Sequence, residues 1–175
     1  MKYICAAALV LIAPFTHAQD GWVFRAQTSD YIFSTKEISL NKNKLFVWVL
    51  AIKKDLGVPE YPTAKYTITK ESHVCGSDSA VVYSSIVRSK NGLVLTTFQN
   101  DKGVAQQLYP ESVMENVYKS ACKARNSQAY FSSIQQAVDF SQVFFCFEEA
   151  GGKGYDSTEE GRRAHVECEN RLNSQ

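Results

Sequence analysis

Apolar positions recur at every second residue through much of Trp22 to Gln99, then at three- and four-residue steps from Val113 onward. The first period is that of strands and the second that of helices. Leu45-Phe-Val-Trp-Val-Leu-Ala-Ile52 breaks the alternation, because it is apolar throughout. Such a run is too short to span a bilayer, and its β-branched and aromatic content disfavours a helix. As a strand, it carries Phe46, Trp48, Leu50 and Ile52 on one face and Leu45, Val47, Val49 and Ala51 on the other. Both faces are apolar, which predicts a central strand of a sheet covered on two sides.

Shorter strands are expected at Trp22–Ala26 and Tyr31–Phe33, and Ile38 and Leu40 lead through the Asn41–Lys44 turn into the central strand. Pro59 and Pro62 mark a longer loop, after which Ala64–Ser72 and Ser79–Arg88 resume strand character. Asn91-Gly92 separates two β-rich runs and predicts a type I′ hairpin turn into Leu93–Gln99, closed by Asn100–Gly103. Sequential hairpins with no helix between them predict antiparallel pairing.

Pro110 stands where a helix can begin, and Val113, Met114, Val117, Tyr118, Ala121 and Cys122 continue at helical spacing. A second helix is expected over Ser132–Glu149, with Ile134, Val138, Ser141, Phe144 and Phe145 on its stripe. Gly151-Gly-Lys-Gly154 ends it. This lysine is not followed by Ser or Thr and no strand precedes it, so the glycines read as a connection, not a phosphate cradle. Ser157-Thr-Glu-Glu160 has capping-box spacing for a third helix bearing Ala164, His165, Cys168 and Leu172.

Met1–Ala18 has the form of a signal peptide: Lys2, an apolar run from Ile4 to Phe15, and a small residue before Gln19. Cys5 lies at the start of that run, which is the wrong place for lipid attachment, so export without a lipid anchor to the periplasm or cell surface is expected. Without Lys2, the 19 basic side chains fall to 18, equal to the 18 acidic ones. That balance argues against a general binder of nucleic acid or anionic membrane. Cys75, Cys122, Cys146 and Cys168 remain, which in an oxidising compartment reads as two disulfides with three connectivities open. Cys75–Cys122 with Cys146–Cys168 is preferred, because the second bond closes a helical hairpin and the first ties a helix end to a strand end. The sum is an α+β fold: an antiparallel sheet of about six strands, a disulfide-tethered helix on one face, and a C-terminal disulfide-linked helical hairpin. Its divisions are 1–18 for the signal, 19–125 for the α+β domain and 126–175 for the hairpin packed on that domain.

Trp22 early in the exported chain, Tyr31-Ile-Phe33 before Ile38, Val47-Trp-Val-Leu50, Cys75 after a strand and Cys122 ending a helix form a pattern. It resembles the surface-adhesin protein E family of Gram-negative bacteria over Trp22 to Cys122. The resemblance implies a sheet with a helix held on its concave face by one disulfide. It also implies a role in cell adhesion through host matrix or serum proteins such as laminin and vitronectin, and pairing as a homodimer. The family's best-known member is a lipoprotein and this chain lacks the lipobox; the hairpin from Ser132 to Leu172 lies outside the shared region.

The remaining chemistry is sparse. His73 and His165 survive signal cleavage, and both fit structural or surface positions better than catalytic ones. Neither has zinc-site spacing to Cys75 or Cys168. Ser39-Leu-Asn-Lys42 has a Ser-x-x-Lys spacing but falls in a hairpin turn. Glu148, Glu149, Glu159 and Glu160 flank the glycine loop without an alternating calcium-ligand pattern. Lys42, Lys44, Lys53 and Lys54 stand at the two ends of the central strand, placed to meet an acidic protein or glycan or to guard strand ends. No catalytic, cofactor or metal residue is assigned, and no ligand-binding residue is carried over from the family. The expectation is a non-enzymatic, adhesin-like binding protein with a protein ligand and, after signal cleavage, no membrane segment. The alternatives are a periplasmic protein-binding or hydrolase-inhibitor protein and an enzyme with an unrecognised site.

Overall fold

The computed structural model describes residues 21–54, 64–123, 130–149 and 159–173. The signal segment, the Pro59–Pro62 loop, Gly151–Gly154 and the Ser157–Thr158 cap lie outside them. Seven strands form one antiparallel sheet: β1 Trp22–Gln27, β2 Tyr31–Asn41, β3 Lys44–Lys53, β4 Ala64–Val74, β5 Ser79–Ser89, β6 Val94–Gln107 and β7 Tyr130–Phe131. The helices are α1 Val113–Lys123, α2 Ile134–Glu149 and α3 Glu159–Asn173. The order β6-β5-β4-β3-β2-β1-β7 is a meander with β7 returning to pair with β1. The edge strand β7 was not foreseen: two residues carry too little pattern to read. A boundary at 126 would remove this strand along with the hairpin.

The central strand is covered on both faces over part of its length, and Phe46 and Trp48 on one face stay half-buried. Leu50 and Ile52 join Trp22, Tyr66, Ile68 and Phe131 beneath Ala137 and Val138 of α2. On the opposite face Leu45, Val47 and Val49 pack with Ala80, Leu108, Tyr118 and Ala121 under α1. Cys75–Cys122 ties α1 to the end of β4, and Cys146–Cys168 joins α2 to α3. Gly161 is buried within α3.

Local hydrogen bonds fix the helix starts. The Ser112 hydroxyl accepts the Glu115 N–H at 3.2 Å while the Glu115 carboxylate accepts the Glu111 N–H at 2.8 Å. Ser133 and Gln136 make the same reciprocal arrangement at α2, with Ser132 as the N–H returned to the side chain. Capping therefore sets α1 at Val113, three residues after Pro110, and α2 at Ile134.

Two turns depart from expectation. Asn91 does not adopt positive φ; among the described residues other than glycine only Lys42 and Glu111 do. The β5–β6 connection instead has Gly92 N–H bonded to Ser89 O, Ser89 N–H bonded to Leu93 O, and Gly92 alone at φ 78. That is the three-residue hairpin with a left-handed closing glycine, not type I′. Asn100–Gly103 does not end β6 either: the pairing shifts from Ser84↔Gln99 to Val82↔Val104, so these residues bulge and the strand runs on to Gln107.

Candidate ligand groove on the open end of the sheet

Among the described residues, part of the α2 side of the sheet is only half-buried. Directly paired residues of antiparallel strands share a face. Lys36↔Trp48↔Lys70↔Ser84↔Gln99 is therefore one row across β2 to β6. Beside it runs Ser39↔Phe46↔Ser72↔Val81. Both rows lie on the α2 side, at the margin of the core under Ala137 and Val138 against which Trp48 packs, and Phe46, Trp48 and Tyr83 are only half-buried.

Tyr83 is the extra residue of β5. It falls between Val82 and Ser84, where the pairings with both β4 and β6 shift. Its ring stacks on Phe46 at 6.4 Å and its hydroxyl lies 3.2 Å from Ser72 Oγ. Lys44 Nζ stands 4.9 Å from the Phe46 ring centre. A β-carbon on Gly103 would collide with Val81 Cγ1 and crowd the Tyr83 ring, so the β6 bulge lies directly against this aromatic pair. Gly103 has φ 73, a conformation that glycine takes without strain.

The bulge walls a groove of about 480 Å³. Trp48, Lys70, Ser84 and Ile86 of β3, β4 and β5 line it from the sheet, and Gln99, Asn100 and Asp101 line it from the bulge. The bulge is internally braced: Gln99 Nε2 donates to Asp101 Oδ1 at 3.4 Å and Lys102 N–H donates to Asn100 Oδ1 at 3.0 Å. Such a volume is in the range of small-ligand sites.

On the α1 face, Glu71 stands between Val47 and Val82 at 3 % exposure. The Thr69 hydroxyl donates to Glu71 Oε1, while Oε2 has no hydrogen-bond partner among the described residues. Burial pushes this carboxyl up to about 7, against the downward pull of the Thr69 bond. His73, next on the same face, donates from Nδ1 to Ser79 O at 3.0 Å and stacks on Tyr118 at 4.5 Å. The histidine is thus a packed core residue. Arg25 donates from Nε to Thr35 Oγ1 at 2.8 Å; burial lowers its pKa and the nearby Glu37 raises it.

The other residues singled out by sequence are not brought together. Lys42 lies in the β2–β3 turn and Lys44 over Phe46, whereas Lys54 pairs with Glu149 at 3.5 Å and the Lys53 carbonyl accepts from Lys65 Nζ at 3.0 Å. Glu159 pairs with Arg163 within α3. The side chains of Glu160 and His165 lie outside the described set. No group of three metal-ligating side chains occurs among the described residues. Ser39 is on β2 and Lys42 in the following turn, with no helix at that position. No described helix is long and apolar enough to cross a membrane. No family model, curated protein or solved structure matches this chain.

Proposed function

We propose that this protein is an exported, non-enzymatic binding protein of adhesin-like character, which captures a protein partner on the open end of its sheet. The observation that carries this reading is the Lys36–Trp48–Lys70 row beside the Phe46–Tyr83 stack, whose rings are only half-buried at the margin of the α2-side core. Aromatic side chains flanked by ammonium groups suit protein recognition: the rings give contact area at small entropic cost, and the lysines steer an acidic partner surface. The disulfides fit a framework for an oxidising compartment, periplasm or cell surface.

The test is surface-plasmon resonance of the oxidised protein against immobilised laminin and vitronectin, with the double charge reversal Lys44→Glu/Lys70→Glu as comparison. Binding that weakens with salt and is lost in the double variant supports the reading. Absence of wild-type binding to both proteins overturns the matrix-adhesin reading. Protease and antibody accessibility on intact cells then assigns the compartment. Protection until the outer membrane is broken would place the binding role in the periplasm, as an envelope protein binder or hydrolase inhibitor.

A further inference from the structure

We infer that the groove between Trp48 and the β6 bulge is a saccharide subsite, so that the contact made by this face includes a glycan. The inference rests on that face being the ligand-binding surface. Two features together point to sugar. The first is an aromatic platform: Trp48 is half-buried with its row neighbours Lys70 and Ser84 lining the same groove, and the Tyr83 ring lies beside it. The apolar C–H face of a pyranose ring stacks on such a surface.

The second is the polarity of the remaining lining. Thr97, Ser84, Gln99 and Asn100 offer hydroxyls and amides, each able both to donate and to accept. Lys70 adds a donor and Asp101 an acceptor, so the charges cancel. A sugar hydroxyl also donates and accepts, and neighbouring hydroxyls on one ring match this mixture. A polyanion would face Asp101 without compensation beyond Lys70. A purely apolar ligand would strip water from these polar groups and return no hydrogen bond. The bulge that carries Gln99, Asn100 and Asp101 is braced by its own side-chain bonds and packed against Val81 and Tyr83 at Gly103, so the polar wall is formed before any ligand arrives.

The experiment titrates the oxidised full chain with three uncharged sugars, chitotetraose, cellotetraose and mannotetraose, followed by calorimetry and by tryptophan fluorescence. Trp22 is buried in the core and Trp48 lines the groove, so a ligand-dependent emission change reports Trp48. At least one probe is expected to bind with a dissociation constant of about 1 mM or tighter. Trp48→Ala should weaken that binding by about tenfold or more, as expected on removing a stacking platform. Gln99→Ala, on the exposed bulge, should weaken it as well and retain the native melting profile. Failure of all three sugars to bind wild-type protein overturns the inference, as does binding that both variants leave intact. If laminin or vitronectin binding persists while the sugars fail, the saccharide reading falls alone and the protein-binding reading stands.

Discussion

Replacing Glu71 by glutamine should make the protein more stable at alkaline pH and leave it nearly unchanged at acid pH. The carboxyl is 3 % exposed as a residue, and its second oxygen has no partner among the described residues. Its pKa rises from 4.5 to about 7 on folding because burial penalises the charge. Glu37 lies on the same face, two strands away across Val47, and adds no compensating positive charge. The folded state therefore holds a proton that the unfolded state releases between pH 4.5 and about 7. Stability falls as pH rises through that window and is level above it. At 1.36 kcal/mol per pKa unit, the full cost of ionising Glu71 in place is about 3 kcal/mol, an upper bound if water reaches the charged group. Glutamine keeps an oxygen for the Thr69 hydroxyl and carries no charge. Urea unfolding, followed by fluorescence with disulfides intact, should give equal stability for both proteins near pH 4. At pH 8 the variant should be ahead by about 1 to 3 kcal/mol. A difference that does not vary with pH, or a variant less stable at pH 8, would refute the buried-charge argument.

Converting both Cys75 and Cys122 to serine opens a loop with a sequence separation of 47 and should cost roughly 4 kcal/mol by loop entropy, read as a lower urea midpoint. Phe140→Ala removes the ring that sits edge-on to Phe24 and 5.2 Å from Phe131, loosening α2 from the sheet. Because Phe140 is only partly buried, a loss of about 2 to 3 kcal/mol is expected by denaturant unfolding. Gly103→Ala should cost about 1 to 3 kcal/mol from positive φ and the collision with Val81, and should weaken any groove ligand in calorimetric titration.

The parts legible in the sequence were those written in local periodicity. Leu45–Ile52 declared two apolar faces, covered at Leu50 and Ile52 on one and at Leu45, Val47 and Val49 on the other, and the stripes of α1 and α2 named Tyr118 and Val138 as buried contacts. The preferred cysteine pairing followed from where those elements end. Less legible were features set by neighbouring strands. Asn91-Gly92 has the composition of a type I′ turn, yet the strand ends meet one residue further apart, and only Gly92 takes a left-handed conformation. Asn100–Gly103 has turn composition and was read as a strand end. Because β5 holds β6 on both sides of it, it forms a bulge instead. The groove was invisible because Lys36, Trp48, Lys70 and Gln99 become a row only through register. Glu71 gave a faint signal as an acid on the same strand face as Thr67 and Thr69.

One irregularity joins the groove to the buried acid. Lys70 and Glu71 are consecutive on β4 and point to opposite faces, the first into the groove and the second beneath the α1 side. At that step the register to β5 shifts: Lys70 pairs with Ser84 and Glu71 with Val82, leaving Tyr83 unpaired. Strict alternation from Val82 would pair Tyr83 with Lys70 and turn Ser84 and Ile86 to the α1 face. The extra residue instead keeps Ser84 and Ile86 in line with Lys70 and Ile68 while Tyr83 leans over Phe46. The same residue lies opposite the β6 bulge, so the platform and the polar wall have one origin. A regular sheet would offer a flatter surface here, and bulges are the usual device for re-aiming side chains near binding sites. Two of the sheet's register shifts, at Lys70/Glu71 and at Val82/Ser84, thus meet at Tyr83, at the place the ligand is proposed to bind.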